Sequence, residues 1–196
     1  YISGENLEAL EASPQLEGFR AKGVEVLLMT DPVDEFWLPM VGEFEDKKFT
    51  SATSGTVDLS KIKAARKDKE NDDETKPEKA DDSAVAKLIL ALKEALGETV
   101  KDVRSSERLT ESAVCLVAGE GDMDLHLERM LKMQGHVDVP NATRVLEINP
   151  AHPLIKKLAE VVDKPAKKKS MENMAHLLFD QARIIEGEPV ADPTAF

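Results

Sequence analysis

The feature that most limits what this chain can fold into is the run from Lys61 to Asp82, KIKAARKDKENDDETKPEKADD. Nearly every residue in it is charged or polar, and Pro77 interrupts it. Such a stretch cannot remove enough apolar surface from water to offset the entropy of ordering it. It reads as a linker, or as a solvated helix passing between domains. The expected organisation is therefore a unit over residues 1–60, a connector over 61–82 and a second unit over 83–196.

The first unit alternates helix and strand signals. Residues 4–12 are helical in composition. Ser13-Pro14 restarts a helix as cap and first position, and Gly23 stops it. VEVLLM (24–29) reads as a buried strand, Asp31-Pro32 opens a helix with Asp34 and Glu35 in its first turn, and KFTSAT (48–53) reads as a second strand. Strand, helix, strand in this order predicts a small α/β unit with a parallel pair. In the second unit AVAKLILALKEALG is an amphipathic helix from about Ser83 to the stop at Gly97. VKDVRSS, SAVCLVAG and RVLEINP read as strands. GDMDLHLERMLKMQG is a helix with Asp122 as its cap, and HPLIKKLAEVV and SMENMAHLLFDQARIIEG are helices, the last stopped by Gly187.

Three apolar patterns invite a contact reading beside a core reading. Met123, Leu127, Met130 and Leu131 fall at i, i+4, i+7 and i+8, one helical stripe, with Leu125 and Met133 off it. This is a core helix or an exposed adhesive one, and its methionines suit adaptable contact with many apolar partners. Phe36 and Trp37, the only Trp, are neighbours about 100° apart on a helix, so both rings cannot be fully buried. Either one sits in the core with the other half-covered, or the pair marks a contact surface. Met171, Met174, Leu178 and Ile185, with Gln181 at the remaining seam position and Leu177 and Ile184 beside it, have near-3.5 spacing. That helix packs on its own domain or meets its copy in a second chain.

The chemistry-bearing patterns are negative. Gly119-Glu120-Gly121 lacks the third glycine of a dinucleotide loop, and Asp122 and Asp124 would repel a pyrophosphate. His126, His136, His152 and His176 have no metal-ligand spacing, and no nucleophile elbow occurs. The single Cys115 leaves no internal disulfide and no Cys-based zinc cluster, and reads as core. A formal net charge of −12 disfavours a phosphate-backbone partner. The Lys164–Ser170 run lacks aromatics for base stacking. No stretch approaches the roughly 18 apolar residues of a membrane span, and no signal peptide is visible. Tyr1 in place of Met, and an Asp192-Pro193 helix start close to the end, lead to the expectation that this is a piece of a longer chain.

Several stretches together resemble one family. YISGENLEALEASPQLEGFRAKGVEVLLMTDPVDEF is similar to the end of the middle domain of the ninety-kilodalton heat-shock chaperones. VKDVRSSERLTESAVCLVAGEG, LEINPAHPLIK and LLFDQARIIEGEPVADP resemble that family's carboxy-terminal domain, in its bacterial form. The resemblance implies an α+β fold: a small α/β/α subdomain, then an α+β dimerisation domain ending in a helix bundle whose last helix would follow Asp192. It implies a cytoplasmic homodimer that binds unfolded or partly folded client proteins, with no nucleic-acid or membrane partner. It implies that ATP and Mg are bound upstream of Tyr1, along with the middle domain's catalytic Arg, so that no cofactor and no catalysis belong to this segment. Client contacts map to Phe36 or Trp37 and to Met123, Leu127, Met130 and Leu131. The dimer interface maps to Met171, Met174, Leu177, Leu178, Gln181 and Ile185. The alternatives are a dimerising adaptor that holds no client, and a small α/β enzyme.

Overall fold

The computed structural model describes residues 1–62, 80–135, 144–190 and 192–194. Most of the expected connector, residues 63–79, lies outside the described residues. So does His136.

The first part opens on strand β1 (Ile2–Ser3). Asn6 then caps helix α1 (Leu7–Glu11), its side chain accepting from the Ala9 N–H at 2.8 Å. Ser13-Pro14 starts a single 3-10 turn that runs into α2 (Glu17–Ala21). Gly23, at φ 66°, ends that segment, as its position predicts. Strand β2 (Leu28–Met29), helix α3 (Asp34–Val41) and the hairpin β3 (Glu43–Phe44) and β4 (Lys47–Lys48) follow.

Two strand expectations are corrected here. Residues 24–29 are not a buried strand: only Leu28–Met29 pair, and Val24, Val26 and Leu28 face the core while Leu27 is 56% exposed. The run lies half-open, so its pattern is inside-outside alternation and not full burial. Residues 48–53 do not form the second parallel strand either. Lys47–Lys48 fold back on Glu43–Phe44 through Glu45 and Asp46, both at positive φ. The parallel partner of β2 is instead β1, with Ile2 opposite Leu28. Ile2, Leu10, Leu16, Phe19, Ala52 and Leu59 fill the small core between these elements.

The second part has a three-stranded sheet in the order β5 (Val100–Ser105), β7 (Arg144–Ile148), β6 (Val114–Val117). β5 runs parallel to β7 and β6 antiparallel to it. Before β5 comes α4 (Asp82–Leu96), capped by Asp81, whose carboxylate accepts from the Ser83 and Ala84 N–H groups. Its Val85, Leu88, Leu92 and Leu96 recur on one face and are buried. Helix α5 (Leu125–Met133) lies between β6 and β7, and α6 (Pro153–Val161) and α7 (Lys168–Ile185) come last. α4 packs on β5, α7 on β6, and α4 on both α6 and α7. Together they cover Val114, Leu116, Leu146 and Ile148. The fold is therefore α+β.

The alternate strand residues Cys115, Val117 and Val145 point to the other face, with Leu109. There the first part of the chain meets the sheet through polar contacts. Ala118 donates to Thr53 O and Gly55 to Ala118 O, each at 2.9 Å, extending the sheet beyond β6. Glu17 accepts from three consecutive N–H groups, Thr110, Glu111 and Ser112. Glu147, 3% exposed in the middle of β7, is held by Ser106 Oγ (2.7 Å), Arg108 Nε (3.0 Å) and Arg104 Nη2 (2.7 Å). Both arginines also reach across to main-chain oxygens of the first part, Arg104 to Gly55 and Arg108 to Ser54. A carboxylate this buried is tolerable because its lone pairs are filled by charged donors.

Candidate functional site

Helix α5 begins two residues later than its sequence pattern predicts. Asp124, not Asp122, is the cap: its Oδ1 accepts from the His126 N–H at 2.9 Å. Asp122 closes the preceding turn and pairs with Lys101 at 2.8 Å. Met123 therefore precedes the helix and does not share the stripe with Leu127, Met130 and Leu131. It is half-buried. The second oxygen of Asp124 accepts the Ser51 and Thr53 hydroxyls, both at 2.6 Å.

The inward side of α5 is only partly apolar. Leu125 is buried, and beside it Glu128 is 1% exposed and ion-paired with Arg144 and Lys132. Arg144 in turn reaches Glu188 at 3.1 Å. One turn away Arg129 donates to the Glu186 carbonyl. With polar groups as anchors, the apolar residues other than Leu125 are only partly covered. Leu127, Met130 and Leu131 are half-buried, like Met123, and Met133 is 70% exposed.

Helix α3 behaves in the same way. Leu38 and Glu35 are buried, and Glu35 Oε1 lies 2.6 Å from His126 Nδ1, which ties α3 to α5. Trp37 is held internally: Nε1 donates to Asp34 Oδ1 at 2.7 Å and its ring meets Phe49 edge-to-face at 5.9 Å. Phe36 is 46% exposed, in company with Val33, Met40, Val41 and, on the hairpin, Phe44. Phe36 is thus the more available ring of the two.

The expected seam on α7 is corrected in part. Met171 and Leu178 are 6% and 2% exposed and belong to the domain's own core. They share a face with Ala175, Phe179 and Ala182, the side that packs on α4 and β6. Residues seven apart share a side at either a 3.5 or a 3.6 period, and around Met171 and Leu178 that side is covered by the domain's own core. Met174 is half-buried against the same core. Leu177 (40%), Ile184 (49%), Ile185 (44%) and Gln181 remain outside.

A cleft of about 490 Å³ runs between the first part, α5 and the end of α7, where Ser3, Gln15, Arg129, Met133 and Glu186 line it. Gln15 Nε2 donates both to Leu116 O (2.9 Å) and to Glu186 Oε1 (2.6 Å). Burial pushes the Glu186 carboxyl up to about 7, against the opposing pull of Gln15 and Arg129. Cys115 is 1% exposed, and burial together with the Glu147 charge holds its thiol well above the ordinary value. It is not a nucleophile in the folded chain. Among the described residues no group of three or more His, Cys, Asp or Glu side chains is placed to hold a metal. None of their helices is long and apolar enough to cross a membrane.

Sequence reasoning missed the buried charges Glu128, Arg144 and Glu147 and the exposure of Met133. A signal for two of these was present: Arg144 and Glu147 are charged residues inside RVLEI, a run otherwise read as a strand.

The family model described as Hsp90 protein matches residues 1–196. Chaperone protein HtpG of Paramagnetospirillum magneticum is 54% identical over 195 residues, covering 100% of this chain and 30% of that protein. Chaperone protein HtpG of Roseobacter denitrificans is 50% identical over 198 residues, covering 100% and 31%. That of Wolbachia sp. subsp. Brugia malayi is 42% identical over 197 residues, covering 100% and 30%. The chain spans about 30% of the length of these curated relatives.

Proposed function

This chain belongs to the Hsp90 protein family, and from that premise we propose that it is the client-holding and dimer-forming part of a cytoplasmic chaperone. Its units, 1–60 and 83–196, are joined near Lys61 to Asp82. The client surface consists of Phe36, Leu127, Met130 and Leu131, with Met123 and Trp37 at its margins and Met133 as an addition. One observation carries this reading: α5 is fixed by Asp124, Glu128 and Arg129, while Leu127, Met130 and Leu131 stay only partly covered and Met133 is 70% exposed. A partly uncovered apolar row on a helix whose anchors are polar can still grip an apolar segment, each Å² removed from water contributing roughly 25 cal/mol. Met side chains let that row adapt to many partners.

Two copies meet through the outer face of α7, where Met174, Leu177, Gln181 and Ile185 lie, with Ile184 beside them. The client surfaces of the two copies then face a common space. ATP and Mg belong to the portion of the family's chains that this sequence does not cover, so this segment holds clients and does no chemistry of its own.

The test is suppression of aggregation. Light scattering by a destabilised protein should fall when this chain is added. Replacing Leu127, Met130 and Leu131 together by Ser should remove most of that protection while circular dichroism stays unchanged. Undiminished protection by the triple variant would refute the surface. A chain that dimerises yet protects nothing would be the adaptor.

A further inference from the structure

The cleft beside α5 has a composition that specifies more than apolar contact. Ser3 is 6% exposed, and its hydroxyl has no hydrogen-bond partner among the described residues. A buried hydroxyl in a cleft wall is satisfied when a ligand group arrives. Glu186 is a second polar group of the wall. Its Oε1 takes the Gln15 amide, but no cation is bound to its carboxylate. The only Lys or Arg in the lining is Arg129. One guanidinium nitrogen of Arg129 is spent on the Glu186 carbonyl, and another lies 3.6 Å from Glu5 Oε1. Glu188 in the same lining is already paired with Arg144 and Arg183, and Glu5 adds a further acid beside Arg129, so Glu186 is the lining carboxylate with no ion pair among the described residues. At the mouth, Met133 and Ile185 offer exposed apolar surface.

We infer that this cleft takes a client segment through an Arg or Lys side chain flanked by apolar residues. The cation meets Glu186, the flanking side chains lie on Met133 and Ile185, and a main-chain group of the segment bonds to Ser3 Oγ. The inference deepens the client-holding reading and rests on it. It converts a surface of low selectivity into one that ranks its clients by where their positive charges fall. It also couples holding to protons, because a bound cation favours the ionised carboxylate. The charged groups around Glu186 are Arg129, His126 and Asp124 from α5, Glu188 beyond α7 with its partners Arg183 of α7 and Arg144 of β7, and Glu5 ahead of α1.

Two fluorescent nonapeptides decide it. They are identical apolar sequences with a central Arg in one and citrulline in the other, so shape is kept and charge is removed. Anisotropy at 0.15 M salt, where long-range attraction to the acidic chain is largely screened, should show the Arg peptide binding about tenfold tighter. Glu186→Gln, with its fold checked by thermal melting, should erase that preference without weakening the citrulline peptide. Calorimetry at pH 7 in two buffers of unlike ionisation enthalpy should show about half a proton released by the Arg peptide and none by the other. Equal affinities for the wild-type chain, or a preference retained in Glu186→Gln, would overturn the cleft assignment and leave the client surface standing. Failure of both peptides to bind would overturn both.

Discussion

Glu186→Gln should stabilise the chain at neutral and alkaline pH and leave it nearly unchanged in mild acid. The carboxyl is raised from 4.5 to about 7, chiefly by burial. The folded state therefore holds a proton over a range in which the unfolded chain has released it. A raised carboxyl makes folding less favourable as pH climbs through that range, the reverse of the usual salt-bridged acid. Fully ionised, the displacement from 4.5 to about 7 corresponds to ~3 kcal/mol of destabilisation. Below pH 4.5 both states are protonated and the penalty disappears. Gln has the same shape, carries no charge, and keeps an oxygen for Gln15 Nε2, which now sits 2.6 Å from Glu186 Oε1. Urea unfolding of both proteins at fixed chain concentration, at pH 5 and pH 8, measures the difference. The variant should gain about 2–3 kcal/mol over the wild type on going from pH 5 to pH 8. Other titrating groups are common to both proteins and cancel. A gap between variant and wild type that is the same at both pH values would refute the reasoning, because it would mean that the buried carboxyl is not the source of the pH dependence.

Glu128→Ala removes the acid that Arg144 and Lys132 share and leaves a buried guanidinium short of a partner. The expected loss is about 3 kcal/mol, and hydrogen exchange should show α5 opening before the sheet. On α7 the two faces should respond differently to Asp. Leu177→Asp, on the outside, should raise the dimer dissociation constant in sedimentation without lowering the monomer's melting temperature. Leu178→Asp, 2% exposed in the core, should unfold the domain.

Much of the helix pattern was legible because its signals are local. Asp81, Gly97, His152-Pro153 and Gly187 punctuate α4, α6 and α7 by capping chemistry that needs no knowledge of the rest of the fold. The strands of the second part were legible as β-branched apolar runs. The first part was harder. Its parallel pair joins Ile2 to Leu28, a two-residue strand at the chain's start whose pattern is too short to carry a period. The hairpin at Glu43–Lys48 turns through Glu45 and Asp46 and not through the glycine that usually announces such a turn. On α7 the spacing marks an apolar side but not what covers it, and only the packed neighbours α4 and β6 decide that Met171 and Leu178 belong to the domain's own core.

The arrangement of α5 has a physical logic that no apolar anchor would provide. A helix pinned to its domain by leucines must bury them, and on nine residues few would remain for anything else. Here the attachment is made by side chains useless for gripping a greasy segment. Asp124 holds Ser51 and Thr53, His126 meets Glu35, Glu128 meets Arg144, and Arg129 holds the Glu186 carbonyl. These are four consecutive polar ties within the first turns, each directional, so together they fix the helix's rotation as well as its position. Rotation is what decides whether Leu127, Met130 and Leu131 face outward. Charged anchors in a site this dry contribute little net stability once their desolvation is counted. Their consequence is orientation: two of the four contacts hold α5 to the first part of the chain and two to β7 and the end of α7, and together they determine which of its side chains stay partly open to water.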